Sequence, residues 1–171
     1  MNSPHRRQFL GRSLGVAQVA VASVLLPGAA RAFAPATSAD ARRLSFNHLH
    51  TRERTALVYA VGSDFLPPAL THLNHFLRDH YTGEVGQMDP ELYNVLHRVR
   101  RELGTDLPFH VISGYRSPAT NETLRTTRGG GVARRSLHMD GKAIDVRLPG
   151  VSLADLRDAA IDLKVGGVGF Y

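Results

Sequence analysis

The stretch that most constrains this chain is Ser136-Leu137-His138-Met139-Asp140-Gly141-Lys142-Ala143-Ile144-Asp145. It places an imidazole and a carboxylate seven residues apart, around a glycine. Two ligands on one helix face need a spacing of three or four, so this spacing instead suits a loop that turns at Gly141 and runs into a strand. From Ala143 the residues alternate, with Asp145 and Arg147 on one face and Ile144, Val146 and Leu148 on the other. An aspartate aimed from a sheet at a nearby histidine supplies two donors suited to zinc. The same residues also suit a histidine in a turn beside an aspartate making an ordinary hydrogen bond, and two donors fall short of a zinc site's usual protein ligands.

Around this stretch the sequence reads as one domain behind an export segment. The 171 residues, 43% of them apolar, suffice for a single packed core. Residues 1–32 stand apart. Arg6-Arg7-Gln8-Phe9-Leu10 resembles a twin-arginine export signal, a weakly apolar stretch runs from Leu14 to Leu26, and Ala30-Arg31-Ala32 or Ala32-Phe33-Ala34 offers a cleavage site. Gln18, Ser23 and Pro27 interrupt a run already short for a membrane span, so no stable span is expected once the signal is removed. The formal charge is +6; removing Arg6, Arg7, Arg12 and Arg31, with no acid among them, leaves +2. That residual charge, with seven Phe and five Tyr in no basic-aromatic alternation, argues against a nucleic-acid partner. With no cysteine, thiolate catalysis and Cys-ligated metal are excluded. Residues 33–43 read as a linker, and 44–171 as the domain.

Within the domain, strands are expected at about 44–50, 55–61, 109–113 and 143–148, with another beginning at Val168. His48 and His50 would share a strand face, which invites a metal reading, although such a pair on a partly exposed strand is more often a surface feature. Pro67-Pro68 opens a helix closing near His80, whose His75 and His80 could approach the site. Asp89-Pro90 opens a second, with Leu92, Val95, Leu96, Val99 and Leu103 as its core stripe, Arg98-Val99-Arg100-Arg101 as a solvated side and Gly104 as its stop. Ser117-Pro118 starts a shorter helix to about Thr127. Ser152 and Asp155 cap the last, with Leu153, Leu156 and Leu163 expected buried and Gly166-Gly167 ending it. The run Arg128-Gly129-Gly130-Gly131 lacks the Gly-Lys-Ser/Thr and preceding strand of a P-loop, and reads as a mobile loop rimming a cleft.

The pattern Ser136-x-His138-x-x-Gly141-x-Ala143-x-Asp145 resembles the first zinc motif of the D-alanyl-D-alanine peptidase group, within the lysostaphin/D-Ala-D-Ala peptidase/hedgehog superfamily. Ser113-Gly114-Tyr115-Arg116-Ser117-Pro118 is similar to that group's Ser-Gly-Tyr-Arg segment. The likeness runs from about Leu44 to Tyr171, includes Leu73-Asn74-His75, Arg78-Asp79-His80 and Thr82-Gly83-Glu84, and is strongest to the YcbK-like murein endopeptidases. It implies an α+β fold with a small antiparallel sheet, helices packed on one face and a zinc cleft on the other. It also implies His138 and Asp145 as zinc ligands, Arg116 as the catalytic arginine, and Ser113, Tyr115 and Ser136 as substrate-binding or supporting residues. The substrate would be peptidoglycan peptides in the periplasm or envelope, whose D-centres ordinary proteases reject. In relatives a third ligand, a histidine followed closely by an acid, lies on a strand beyond Val168–Tyr171. No His or Glu follows Asp145 here, so the sequence is expected to be a C-terminally truncated form, inactive as it stands. A non-catalytic peptidoglycan-binding or degenerate envelope protein is the alternative.

Overall fold

The computed structural model describes residues 40–127 and 131–170. The proposed signal peptide and nearly all of the linker lie outside the described residues, as do Arg128 to Gly130 of the glycine run. Five strands and four helices follow in the order β1 (Ala41–His48), β2 (Arg54–Val61), β3 (Asp64–Phe65), α1 (Pro67–Phe76), α2 (Glu91–Glu102), β4 (Phe109–Ser113), α3 (Pro118–Thr127), β5 (Asp145–Arg147) and α4 (Leu153–Asp162).

The strands form one sheet in the order β3-β2-β1-β4-β5. The expectation of an antiparallel sheet is corrected at its centre, because β1 and β4 run parallel, with Phe46 opposite Phe109 and His48 opposite Val111. A parallel pair needs a long crossover, supplied here by α1, α2 and the segments joining them. β1 begins at Ala41, inside the expected linker, because Ala41–Arg43 pair with the far end of β2. β5 holds only three residues, and the segment from Val168 to Phe170 forms no strand; Val168 and Phe170 are exposed, and the Arg157 guanidinium lies over the Phe170 ring.

Alternation decides which side chains enter the core. Leu44, Phe46 and His48 are the buried positions of β1, and Phe109, Val111 and Ser113 those of β4. Both buried rows change from apolar to polar at the same end of the sheet. Phe46 packs against Phe76 and Phe109, and Leu73, Leu77, Met88, Tyr93 and Leu96 complete the core from the helical side.

Two helical expectations are corrected. α1 ends at Phe76 instead of near His80, where the chain turns around Asp79. Arg100 is not on a solvated side: it is buried, and its guanidinium donates to the Arg43 carbonyl at 2.8 Å. α4 has the expected cap, Ser152 Oγ accepting from Asp155 N at 3.1 Å. Only Ala159 on it is buried, however; Leu153 is exposed and Leu156 half-buried, with α4 packed on α2.

His48 is likewise no surface residue, being 2% exposed. Its Nδ1 accepts from the backbone N–H groups of His50 and Thr51, so the neutral ring carries its proton on Nε2, which is buried without a hydrogen-bond partner. Neither nitrogen is available to share a metal with His50, which stacks on His80 at 4.1 Å. Burial, then the neighbouring His80 and His50, pushes the His48 pKa down from 6.5 to about 4. The unfolded chain therefore binds a proton that the folded chain refuses between these values. Stability is complete above pH 6.5 and falls as pH drops toward 4; His48 alone should make the protein about 2 kcal/mol less stable at pH 5 than at pH 7.5. Urea unfolding at both pH values should show this, and His48→Leu should reduce the difference. Equal pH dependence in the variant would overturn the assignment.

Candidate active site

The polar end of β1 and β4 is where the sequence motifs meet. Ser113, the last residue of β4, pairs with Asp145, the first of β5. The motif loop then brings His138 over this end, placing its Nε2 3.5 Å from Asp145 Oδ2. The pair therefore sits at the end of the sheet, not on a face opposite the helices. His138 is buried, 8% exposed, and Asp145 is half-buried.

His138 is oriented by main-chain groups. Its Nδ1 lies 2.7 Å from the Gly114 carbonyl, which can only accept, so Nδ1 bears the proton. A neutral ring then turns the Nε2 lone pair toward the carboxylate. Two electron-rich atoms facing each other at this distance need a proton or a cation between them. Donors about 2 Å from one tetrahedral ion stand about 3.3 Å apart, so the donor set fits zinc in both chemistry and separation, with the Gly114 carbonyl as the outer partner that fixes the tautomer. Among the described residues, no group of three His, Cys, Asp or Glu side chains gathers to hold a metal. His75 and His80 accordingly do not complete the pair.

The remaining predicted residues surround it. Ser136 Oγ accepts from His138 N at 3.3 Å. Arg116 N donates to the His138 carbonyl at 3.2 Å, and its guanidinium reaches Asn121 Oδ1 at 3.4 Å. Tyr115 donates its hydroxyl to Glu84 at 3.0 Å, and burial, then this carboxylate, raises its pKa. His80, stacked between His50 and Tyr81, stands close enough for the Arg116 charge to contribute to its lowered pKa, behind burial and His50.

Several partners were not singled out from the sequence. The loop after α1 covers the motif: Gly86 lies against the Tyr115 ring, the Gln87 carbonyl presses on Gly141, and Asp89 N donates to the Gly141 carbonyl at 2.9 Å. Asp79, 1% exposed, accepts from Tyr81 N at 2.9 Å and from Ser117 N at 2.8 Å. An Asp four residues before a Gly is a turn signal, but the bond to Ser117 has no local signature.

An α+β domain carrying this His–Asp motif and its arginine segment at one end of the sheet is a peptidase related to the D-alanyl-D-alanine group. More specifically, residues 36–171 match the family described as Peptidoglycan L,D-endopeptidase MepK, and the chain belongs to that family. It is 39% identical over 158 residues to the "Peptidoglycan L,D-endopeptidase MepK" of Escherichia coli (strain K12), covering 92% of this chain and 85% of the relative. The Shigella flexneri protein of the same name matches to the same extent. The "Probable peptidoglycan L,D-endopeptidase MepK" of Haemophilus influenzae is 35% identical over 159 residues, covering 92% of this chain and 84% of the relative. No solved structure is a significant match.

Proposed function

We propose that the chain is a zinc-dependent murein endopeptidase that cuts peptide cross-links in the bacterial envelope. The observation that carries this reading is His138 Nε2 standing 3.5 Å from Asp145 Oδ2, with the ring's other nitrogen committed to Gly114. The relatives' shared name supports peptidoglycan peptides as the substrate class.

In this reading His138 and Asp145 are two of the zinc ligands. Zinc, when bound, supplies a Lewis acid for the scissile carbonyl and lowers the pKa of a water. The chain's own residues orient and balance charge. Gly114 fixes the His138 tautomer, while Ser136 restrains the loop that carries the imidazole. Arg116 offers a fixed positive charge to the substrate or to the oxyanion that develops from its carbonyl. Ser113 sets the strand register that brings Asp145 forward. Tyr115, tied to Glu84, forms a neighbouring wall for the substrate.

Export through the twin-arginine route, on the strength of Arg6-Arg7 ahead of Phe9-Leu10, would deliver the protein to the periplasm; fractionation of cells expressing a C-terminally tagged chain reads that location directly. Two donors among the described residues also favour a second reading, a peptidoglycan-binding envelope protein without catalysis. Zinc titration and muropeptide release from purified murein separate the two. Zinc-dependent release, abolished by a chelator and restored by zinc, would establish the first reading. Murein binding with neither zinc uptake nor release would establish the second reading.

A further inference from the structure

Three consecutive backbone N–H groups carry the Arg116 turn, and two segments hold them, the turn after α1 and the His138 loop. Tyr115 donates to the Leu77 carbonyl at 2.8 Å, Arg116 to the His138 carbonyl at 3.2 Å and Ser117 to Asp79 Oδ2 at 2.8 Å. Two of these acceptors are main chain and survive any ordinary substitution. The third is a side chain.

Asp79 is committed on every side. Its Oδ1 accepts from Tyr81 N at 2.9 Å and Thr82 N at 3.4 Å, its own N–H donates to the Glu84 carbonyl, and its carbonyl accepts from Gly83 N. Among the described residues it forms no ion pair. A buried carboxylate without a cation is costly unless donors surround it. Burial alone would raise its pKa; hydrogen bonds from the Thr120 and Ser117 side chains and from the Ser117 and Tyr81 backbone outweigh that and lower it to about 2. The charge is therefore maintained, and it is directed at the two turns and the first turn of α3. α3 has its own cap in Ser117 Oγ, which accepts from Thr120 N at 3.2 Å.

We propose that Asp79 is a positioning residue for the peptidase reaction: its clasp on Ser117 N–H sets the direction in which Arg116 leaves the end of β4, and its hold on Tyr81 N–H sets His80 beside that arginine. This rests on the role given to Arg116 above. One carboxylate thus joins the turn after α1 to a turn 38 residues further along the chain.

Asp79→Asn removes one of the two acceptor oxygens and turns an NH2 group toward one of the backbone donors. Asp79→Ser keeps a hydroxyl able to cap the local turn but cannot span to Ser117, and serves if the Asn variant does not fold. Ser117→Ala loses the α3 cap and the Ser117 hydroxyl's bond to Asp79 but keeps the clasped N–H, so it separates the backbone clasp from the side-chain contacts. The readouts are the Arg116 Nε–Hε signal in the NMR spectrum, assigned by its loss in Arg116→Lys, and kcat and KM for muropeptide release with zinc supplied. Both Asp79 variants should displace the Arg116 signal, leave that of Arg42 in place and lower kcat/KM about tenfold or more. Ser117→Ala should leave the Arg116 signal where it is. A folded Asp79 variant with the wild-type Arg116 signal and kcat/KM would overturn the proposal, as would an equal displacement in Ser117→Ala. If wild-type protein released no muropeptides, the peptidase reading would fail while the Arg116 signal still tested the clasp.

Discussion

His138→Ala should abolish zinc uptake and reduce muropeptide release by more than about 100-fold. Losing an outer-shell partner already costs 10- to 100-fold in metal affinity or activity, and this substitution removes a donor atom itself. Asp145→Asn should weaken zinc binding with little change in size, because the amide is neutral and a poorer ligand. Neither replacement removes a residue of the main hydrophobic cluster, so Asp145→Asn should unfold in denaturant within about 1 kcal/mol of wild type, while His138→Ala, which leaves the Gly114 carbonyl without its donor, should cost about 1–3 kcal/mol. Metal content after dialysis, muropeptide release and urea unfolding measured on the same preparations separate chemistry from folding. Full release by His138→Ala would remove this residue from the site.

Gly141→Ala should be the more damaging change for the fold. Gly141 has a φ of +66°, and a Cβ built there would lie 1.9 Å from the Gln87 carbonyl oxygen and 2.9 Å from its carbon. Those atoms are backbone, and the same loop is fastened to Gly141 by the bond from Asp89 N. Relief therefore requires the motif loop and the segment after α1 to separate. Left-handed strain alone costs about 1–2 kcal/mol, and the backbone collision should bring the loss above about 3 kcal/mol. Gly104→Ala supplies the comparison, since Gly104 has a φ of +61° with nothing within 4 Å of its Cβ position. Its destabilisation should stay near the strain term, and its site should remain intact. Equal losses for the two variants in urea unfolding would show that the Gln87 contact is unimportant.

The parts of the protein legible in its sequence are those encoded over a few residues. The cap at Ser152 and Asp155, the proline at the start of α1 and the alternation of β1 and β4 all act through near neighbours. The likeness of two short motifs then drew attention to His138, Asp145 and Arg116, which the fold brings to one end of the sheet. What could not be read depends on distant partners. Nothing in the alternation of Leu44 to His48 says that its neighbour runs parallel, because both directions bury the same face. A run of basic residues does not reveal that Arg100 points inward to a carbonyl 57 residues away in sequence. The buried place of His48 follows from β1 being central, a property of the sheet and not of the strand. The sequence places Asp79 inside a helix closing near His80; it stands instead in the turn after α1, and its second oxygen serves another turn that the local sequence cannot announce.

The two bonds between His138 and the Gly114–Arg116 turn bear on how the protein reaches its folded state. They run in opposite senses, the ring donating to Gly114 and the Arg116 amide donating to the His138 carbonyl, and they close a loop of more than twenty residues. Closing such a loop carries an entropic penalty before any contact within it is gained. Each segment holds the other in place, so the imidazole's orientation depends on β5 lying beside β4. Recognition chemistry is thereby tied to sheet completion: a chain in which β5 has not joined β4 presents no organised donor pair to a passing cation.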